Sequence, residues 1–327
     1  MRKELGTFIL LVVLCVIVAA INPRFLGGAN LQNMARLIGM YGIFSIGIGV
    51  VIITGGIDLS VGSLFALLGV LLSLMLTEWK WPAVLAVLAV IAIAMAVGAI
   101  HGLLITKVRI QPFIVTLCGL LFYRGLARFI ANDETKGFGS AQGFEWLRSL
   151  ATGDVFGVPT PFILLAVVSV VMWVVLHRSV YGRYLFAVGR NETAAHYSGI
   201  NSARVVAGAY IIMGLLAGLA AIVFAFYTNS ISPSSHGNFF ELYGIAAAVL
   251  GGCSLRGGEG SVAGVLIGTA LLQVLQNLVN LLDIPSSLNF AVIGAVILLG
   301  VIADQLLKRR GERASGHAVR GLFRRRT

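Results

Sequence analysis

Nonpolar residues occur along this chain in long runs, and polar residues are concentrated in the segments between them. Most runs approach or exceed the roughly 17 residues with which an α-helix can cross the hydrocarbon layer of a membrane. One run, 239–252, is short and is interrupted by glycine. The sequence leaves open whether this segment crosses the membrane fully or enters and leaves it on the same side. The runs predicted to form helices are 6–21, 37–53, 60–77, 82–106, 112–130, 160–176, 205–227, 239–252, 261–282 and 288–306.

Composition supports a membrane protein. Of the 327 residues, 58% are hydrophobic and only 11% are charged, whereas soluble domains carry about 25% charged residues. We therefore predict an all-α, polytopic membrane protein with about ten transmembrane helices. Arg2 and Lys3 precede the first run, which ends near Ala19 and Ala20. That run is either the first span or a signal peptide.

Basic residues predict the orientation of the chain. If both termini are cytoplasmic, most of the 24 Lys and Arg residues fall on the cytoplasmic side, as the positive-inside rule expects. We assign residues 1–307 to a transmembrane domain and residues 308–327 to a basic cytoplasmic tail. Such a tail beside a membrane helix is more typical of an anchor that contacts anionic lipid than of a nucleic-acid-binding segment. We expect no nucleic-acid partner.

A glycine-rich break separates two of the predicted helices. The stretch "TGGIDLSVGSL" (54–64) places Asp58 between glycines. A carboxylate in or near a membrane is a candidate functional group, and glycines permit unwound backbone around it. The alternative is a tight cytoplasmic turn in which Asp58 caps the next helix. A second break, "LGGCSLRGGEGSVAG" (250–264), resembles the first in its predicted orientation. Each leads from a helix that runs towards the cytoplasm into one that runs away from it.

One predicted helix carries a polar stripe within "TALLQVLQNLVNLL". The spacings of its members place them on one helical face. Unpaired amides facing lipid are costly, so this face is expected to contact other helices or to line a hydrated path. Neutral amides and hydroxyls suit an uncharged, hydrogen-bonding solute. We assign Asp58 and the stripe to the candidate substrate pathway. The residues of the stripe are Thr269, Gln273, Gln276, Asn277 and Asn280.

The chain contains none of the sequence motifs that would indicate an enzyme. It has no G-x-x-x-x-G-K-[ST], H-E-x-x-H or G-x-S-x-G sequence, so we expect no catalysis, cofactor or metal site. His101 lies inside an apolar run, where a single histidine is more often bonded to a neighbouring helix than catalytic. Transport is the function class that remains.

Four motifs resemble one transporter family. They are "TGGIDLSVGSL" (54–64), "IQPFIVTL" with "YRGLA" (110–127), "AVGRNETAAHYSGI" (187–200) and the long segment 240–277 that ends in "TALLQVLQN". Together and in this order they resemble the permease subunit of ribose-type monosaccharide ABC importers. The resemblance covers nearly the whole chain apart from the basic tail.

This resemblance implies a type II importer fold in the bacterial inner membrane. It also implies a homodimer of permease chains, a cytoplasmic ABC ATPase and a periplasmic sugar-binding protein. The segment "GRNETAAHYSGI", in which we predict a short helix ended by Gly199, matches the family's ATPase-coupling loop. The residues carried over to that loop are Gly189, Asn191, Glu192, Ala195 and Gly199.

Two alternative functions follow from the same residues. One is a permease for branched-chain amino acids, although the amide stripe offers no fixed charge for their carboxylate and ammonium groups. The other is a self-sufficient secondary transporter, which would need its own coupling site, and Asp58 is the candidate for that site.

Overall fold

The computed structural model describes residues 2–139 and 143–282, with isolated positions between 284 and 298. The predicted helix 288–306 and the basic tail lie largely or wholly outside the described residues. The chain divides into two compact units after Val274. The first unit, up to Val274, contains the features described below, and the described part of the second is mainly the end of the last helix.

The described chain is almost entirely helical. Its helices are α1 Arg2–Ile21, α2 Gly28–Ile53, α3 Val61–Thr77, α4 Ala83–Thr106, α5 Pro112–Ile130, α6 Glu145–Thr152, α7 Thr160–His177, α8 Val180–Arg190, α9 Glu192–Tyr197, α10 Ser202–Thr228, α11 Phe240–Leu250 and α12 Val262–Leu281. A 3-10 helix, Pro23–Leu26, precedes α2, and a two-stranded hairpin, β1 Asp154–Val155 with β2 Val158–Pro159, follows α6. Nine of the ten predicted helices are confirmed in the described residues.

Among the described residues, seven helices are long and apolar enough to cross a membrane, and α3 and α11 are apolar but shorter. The 11 residues of α11 rise about 16 Å, half the thickness of the hydrocarbon core. This helix therefore cannot span the membrane alone. The described parts of the polar segment 131–159, residues 131–139 and 143–159, include α6 and the hairpin, and we call them the lip.

The core of the first unit is built around α2, α3 and α10. Most of α2 and α10 is buried inside the fold, whereas α1 is almost wholly exposed and presents an apolar surface suited to lipid. Small residues let α4 and α10 approach closely. A side chain at Gly98 would overlap the carbonyl of Tyr210, and one at Gly214 would overlap the carbonyl of Ala94. Such small-residue contacts are the usual way membrane helices pack, since lipid supplies no hydrophobic driving force between them.

Candidate functional site: two interrupted helices and a buried polar cluster

The first glycine-rich break is an extended segment. After α2 ends at Ile53, residues 56–60 have no helical structure, and α3 begins at Val61. Ser60 lies against Gly119 of α5, 3.2 Å from the position of a Cβ there. Gly119 is seven residues into α5, which is about 10 Å along its axis. The segment therefore runs back into the helical bundle, and α3 starts inside it.

Side chains of neighbouring helices form hydrogen bonds with the backbone of this segment. The hydroxyl of Tyr210 donates to the carbonyl of Ile57 at 3.1 Å, and the hydroxyl of Thr116 lies 3.4 Å from the same oxygen. Gly55 has a φ of +82°, a conformation that glycine adopts without steric cost. Side chains of α5 and α10 thus satisfy backbone that is in neither a helix nor a sheet.

Asp58 is buried within this segment, with 5% of its surface exposed. Its Oδ1 accepts hydrogen bonds from the backbone amide of Ser60 at 2.9 Å and from the Ser60 hydroxyl at 2.7 Å. The residue at the N-cap of α3 is Ser60, whose own side chain makes no capping bond. Asp58 therefore accepts local hydrogen bonds beside the start of α3 and is also buried among neighbouring helices.

His101 of α4 connects this segment to α5. The Tyr123 hydroxyl is 2.8 Å from His101 Nε2, so the expected bond to a neighbouring helix is confirmed. The other ring nitrogen, Nδ1, lies 4.0 Å from Asp58 Oδ2 and has no hydrogen-bond partner among the described residues. That separation is too long for a direct hydrogen bond.

A second interruption lies between α10 and α11. Ile231 pairs with Lys136 of the lip and packs beside Gly69 of α3, and Gly237 lies against Gly62, in the first turn of α3. Residues 229–239 therefore descend along α3 from its middle towards its beginning. The starts of α3 and α11 meet there, both inside the bundle.

Charged side chains lie where these two helices start, Arg124 partly buried and Glu241 buried. Arg124 donates from Nη1 to the carbonyls of Pro233 at 3.1 Å and His236 at 2.9 Å. Glu241, in the first turn of α11, is 8% exposed and accepts a hydrogen bond from the amide of Gly62. It is also close enough to Asp58 and Arg124 for their charges to interact. We call Asp58, His101, Tyr123, Arg124, His236 and Glu241 the polar cluster.

Most of the polar cluster was missed by the sequence analysis, although a signal was available. Arg124 lies within an apolar helix, and Glu241 begins another. Ionisable residues inside membrane segments are functional candidates by default, so these residues could have been selected on that ground. What the sequence could not indicate is that they meet Asp58, since α3, α5 and α11 are far apart along the chain.

The predicted amide stripe lies on α12 and is divided between the two units. Thr269 and Gln273 belong to the first unit and are 1% and 2% exposed. Thr269 bonds within its own helix, and Gln273 Oε1 has no hydrogen-bond partner among the described residues. Gln276, Asn277 and Asn280 belong to the second unit, and Asn280 is exposed.

The predicted coupling loop forms two helices where the sequence indicated one. Asn191 caps α9 by accepting from the amide of Ala194 at 2.9 Å, and Gly199, with a φ of +82°, follows the helix. Asn191, Glu192 and Gly199 are exposed, whereas Ala195 is buried. The additional helix is α8. The Tyr181 hydroxyl donates to the Val205 carbonyl and fixes α8 to α10, and burial raises the pKa of Tyr181 above its usual range.

Both glycine-rich breaks meet α8. The amide of Gly258 donates to the carbonyl of Ile53 at 2.8 Å. A side chain at Gly189 would overlap that same carbonyl oxygen, and one at Gly257 would lie 2.9 Å from the amide nitrogen of Gly55. We call Gly55, Gly189, Gly257 and Gly258 the glycine junction. It joins the end of α2, α8 and the segment before α12 through backbone contacts.

An apolar groove of about 490 Å³ adjoins the polar cluster. Residues of α3, α4 and α5 line it, and His101 and Tyr123 are among its few polar contacts. Its lining is suited to lipid or to another helix, and not to a polar solute.

Interrupted helices that start beside buried polar groups, inside a bundle of apolar helices, are typical of membrane transporters. Fold and site thus define a multi-pass transport protein. The chain belongs to the family described as branched-chain amino acid transport system / permease component, whose family model matches residues 30–301.

Curated relatives extend over nearly the whole chain. The ribose import permease protein RbsC of Bacillus subtilis (strain 168) is 39% identical over 304 residues, covering 93% of each chain. RbsC of Escherichia coli (strain K12) is 39% identical over 92% of this chain and 93% of its own. The xylose transport system permease protein XylH of the same strain is 31% identical over 88% of each. No solved structure matches the chain.

Proposed function

We propose that this chain is the membrane-spanning subunit of an ABC importer that moves a monosaccharide, such as a pentose, into the cytoplasm. The observation that carries the proposal is the 39% identity to ribose permeases over 93% of both chains. The interrupted helices support a transport path inside the chain, and its neutral and hydrogen-bonding groups suit an uncharged solute. We assign the path to Asp58 and the stripe Thr269, Gln273, Gln276, Asn277 and Asn280.

Energy for import comes from ATP hydrolysis on a separate subunit in this proposal. The exposed helix α9 and its flanks, with Asn191, Glu192 and Gly199, are the docking surface for that ATPase. Ala195 anchors the helix from its buried side. Gly189 transmits movement of the docked helix to both breaks, since it lies at the glycine junction.

The proposed assembly contains two permease chains, two ATPase domains and a sugar-binding protein on the opposite face. Contacts place several predicted cytoplasmic segments together. Glu4 accepts a hydrogen bond from Ser261, and Gly258 and Gly189 meet Ile53. The N-terminus, both breaks and the coupling loop therefore share one end of the first unit, which supports their assignment to the cytoplasmic side.

A permease for branched-chain amino acids is the second candidate, and the description of the family model favours it. Sugar is preferred here because the relatives that cover most of the chain are ribose and xylose permeases. A secondary transporter would depend on Asp58 for ion coupling. Loss of proton- or sodium-driven uptake in Asp58→Asn would support that candidate, and wild-type uptake that requires ATP and no ion gradient would remove it.

Capture of the ATPase tests the proposal first. N-terminally tagged chain is purified gently from native membranes and its partners are identified. We expect a stoichiometric P-loop ATPase, and we expect Glu192→Lys to weaken its retention. Glu134→Lys, an exposed charge reversal in the predicted outer segment, is the matched control. The purified complex is then reconstituted with binding protein, and uptake of ¹⁴C-labelled D-ribose, D-xylose and L-leucine is measured. Uptake of leucine alone, or a homo-oligomer without ATPase after crosslinking, would overturn the proposal.

A further inference from the structure

We propose that the polar cluster is a binding site for the hydroxyl groups of the solute, at the point where the two interrupted helices meet. This inference rests on the proposed function, because it specifies where a polyhydroxylated solute is held during passage. It assigns roles to His101, Arg124, His236 and Glu241, which neither the stripe nor the coupling loop includes.

The cluster supplies buried hydrogen-bond acceptors. Asp58 and Glu241 are each more than 90% buried, although a charged side chain at the centre of a membrane helix costs about 3 kcal/mol on insertion scales. Both carboxylates lie beside helix starts and accept backbone amides there, from Ser60 and Gly62. Helix N-termini stabilise negative charge, so the fold maintains two acceptors in an apolar surrounding.

The separation of Asp58 and His101 is one that a single hydroxyl group can bridge. Asp58 Oδ2 and His101 Nδ1 are 4.0 Å apart, and the nitrogen has no partner among the described residues. A hydroxyl between them can donate to the carboxylate and accept from the ring N–H at ordinary hydrogen-bond distances. The other ring nitrogen is already used by Tyr123, so the imidazole is oriented for this contact.

The second half of the cluster supplies donors. The guanidinium of Arg124 has five N–H groups, and the hydrogen bonds found in the described residues both come from Nη1. His236 is 8% exposed, and its Nε2 has no partner among the described residues. Carboxylates, a guanidinium and imidazoles together match a solute whose hydroxyls both donate and accept. They match a metal ion less well, since no three His, Cys, Asp or Glu side chains in the described part of the chain are placed so that they could hold one.

The proposal requires the contact between the two interrupted helices to open. At this contact Gly62 and Gly237 touch through their backbones, Glu241 accepts a hydrogen bond from Gly62, and the ring of Phe65 packs edge-to-face on Phe240. Separation of α11 from α3 would expose Glu241 and Asp58 together. The solute would then replace bonds that the cluster now makes internally.

Thermal stabilisation by chiral sugars tests this inference. The full-length chain, purified with its ATPase, is unfolded by heat in high concentrations of D-ribose or D-xylose. The L-enantiomer at equal concentration is the control. Both enantiomers are excluded from protein surfaces to the same extent and raise stability equally in that way, so a difference between them reports specific binding. We expect the D-sugar to raise the midpoint more than the L-sugar in the wild type. We expect this difference to vanish in Asp58→Asn and Glu241→Gln, and to persist in Ser73→Ala.

Ser73→Ala is a matched control because it removes a buried hydrogen bond of α3, to the carbonyl of Gly137, away from the cluster. If a charge variant does not fold, His101→Gln takes its place with the same expectation. ATP-driven uptake of the same sugar, measured in parallel, is expected to fall about tenfold or more in the variants, as expected for loss of a charge-assisted hydrogen bond.

The outcomes separate the two proposals. A wild-type chain that imports the D-sugar but shows no chiral stabilisation, or whose stabilisation survives in both charge variants, overturns the binding site and leaves the sugar permease intact. A wild-type complex that imports leucine and neither pentose overturns both. Chiral stabilisation that depends on Asp58 and Glu241 supports both.

Discussion

The amide of Gly258 donates a 2.8 Å hydrogen bond to the carbonyl of Ile53. Gly258 lies in the second glycine-rich break, and Ile53 directly precedes the first, about 200 positions earlier in the sequence. α8 contacts the same point through Gly189. In the proposed mechanism, a movement of the predicted coupling loop would reach both breaks through these backbone contacts, and the first break contains Asp58.

Gly189→Ala is expected to uncouple ATP hydrolysis from uptake. The added methyl group would overlap the carbonyl oxygen of Ile53, so α8 must move away from the glycine junction. We expect the complex to assemble and hydrolyse ATP while uptake of sugar falls at least about tenfold, which corresponds to about 1.4 kcal/mol. Both rates are measured in the same proteoliposomes.

The control for this prediction is Gly125→Ala. Gly125 is an exposed glycine of α5 with no atom within 4 Å of its Cβ position. Gly125→Ala should leave the rates of ATP hydrolysis and sugar uptake near those of the wild type. Full uptake by Gly189→Ala would show that the glycine junction does not transmit the movement.

Gly62→Ala is expected to destabilise the chain strongly. Its methyl group would overlap the carbonyl of Gly237 and the carboxylate of Glu241, so α11 could not approach α3. Overpacking of this kind costs at least about 2 kcal/mol. Thermal unfolding in detergent measures the loss.

Gly69→Ala on the same helix is the matched comparison. Its Cβ would lie 3.2 Å from a methyl group of Ile231, a side chain that can shift. Alanine is also the better helix former, so the change in stability should stay within about 1 kcal/mol. Equal effects of the two variants would contradict the close contact of the interrupted helices.

The hydrogen bond between His101 and Tyr123 should appear in a double-mutant cycle. Tyr123→Phe and His101→Leu each remove one partner of a 2.8 Å contact. Because the double variant leaves no unpaired partner, its loss should be smaller than the sum of the single losses. We expect a coupling free energy of about 0.5–1.5 kcal/mol, measured by reversible unfolding. Additive effects would show that the two side chains do not interact.

Cysteine accessibility tests the stripe on α12. In a chain from which Cys15, Cys118 and Cys253 have been removed, single cysteines are treated with a small, water-soluble thiol reagent. Asn280 is exposed and should react at rest, whereas Gln273 is 2% exposed and should react only during ATP-driven transport. The positions to be compared are Gln273, Gln276, Asn277 and Asn280.

Leu278→Cys, on the same helix but off the stripe, serves as the control for general exposure. If none of the four stripe positions reacts in resting or ATP-trapped complex, the stripe is a packing surface and the path runs elsewhere.

Much of the architecture was predictable from the sequence. Runs of apolar residues defined nine helices because a membrane helix must satisfy its backbone internally and face lipid with apolar side chains. The run 239–252 stood out because it is too short for a helix that spans the membrane fully. α8 was missed because "VYGRYLFAVGR" mixes arginines, aromatics and glycines in a segment between spans, which carries no strong period.

The candidate site was predictable only in part. Asp58 was selected because a carboxylate between apolar runs is energetically unusual. Whether it lies in a surface turn or inside the bundle depends on where α3 begins relative to α5, which local sequence does not specify. The contact of Ser60 with Gly119 determines this.

The sequence by itself therefore determined that this is a helical membrane protein, where most of its helices lie, and which family it resembles. These properties follow from composition, local hydropathy and motif order, each of which can be read along the chain. The tertiary structure decided that two helices are interrupted, that Asp58, His101, Arg124 and Glu241 share one buried cluster, and that Gly189 meets both glycine-rich breaks. These are contacts between residues distant in sequence, and they depend on how the helices pack.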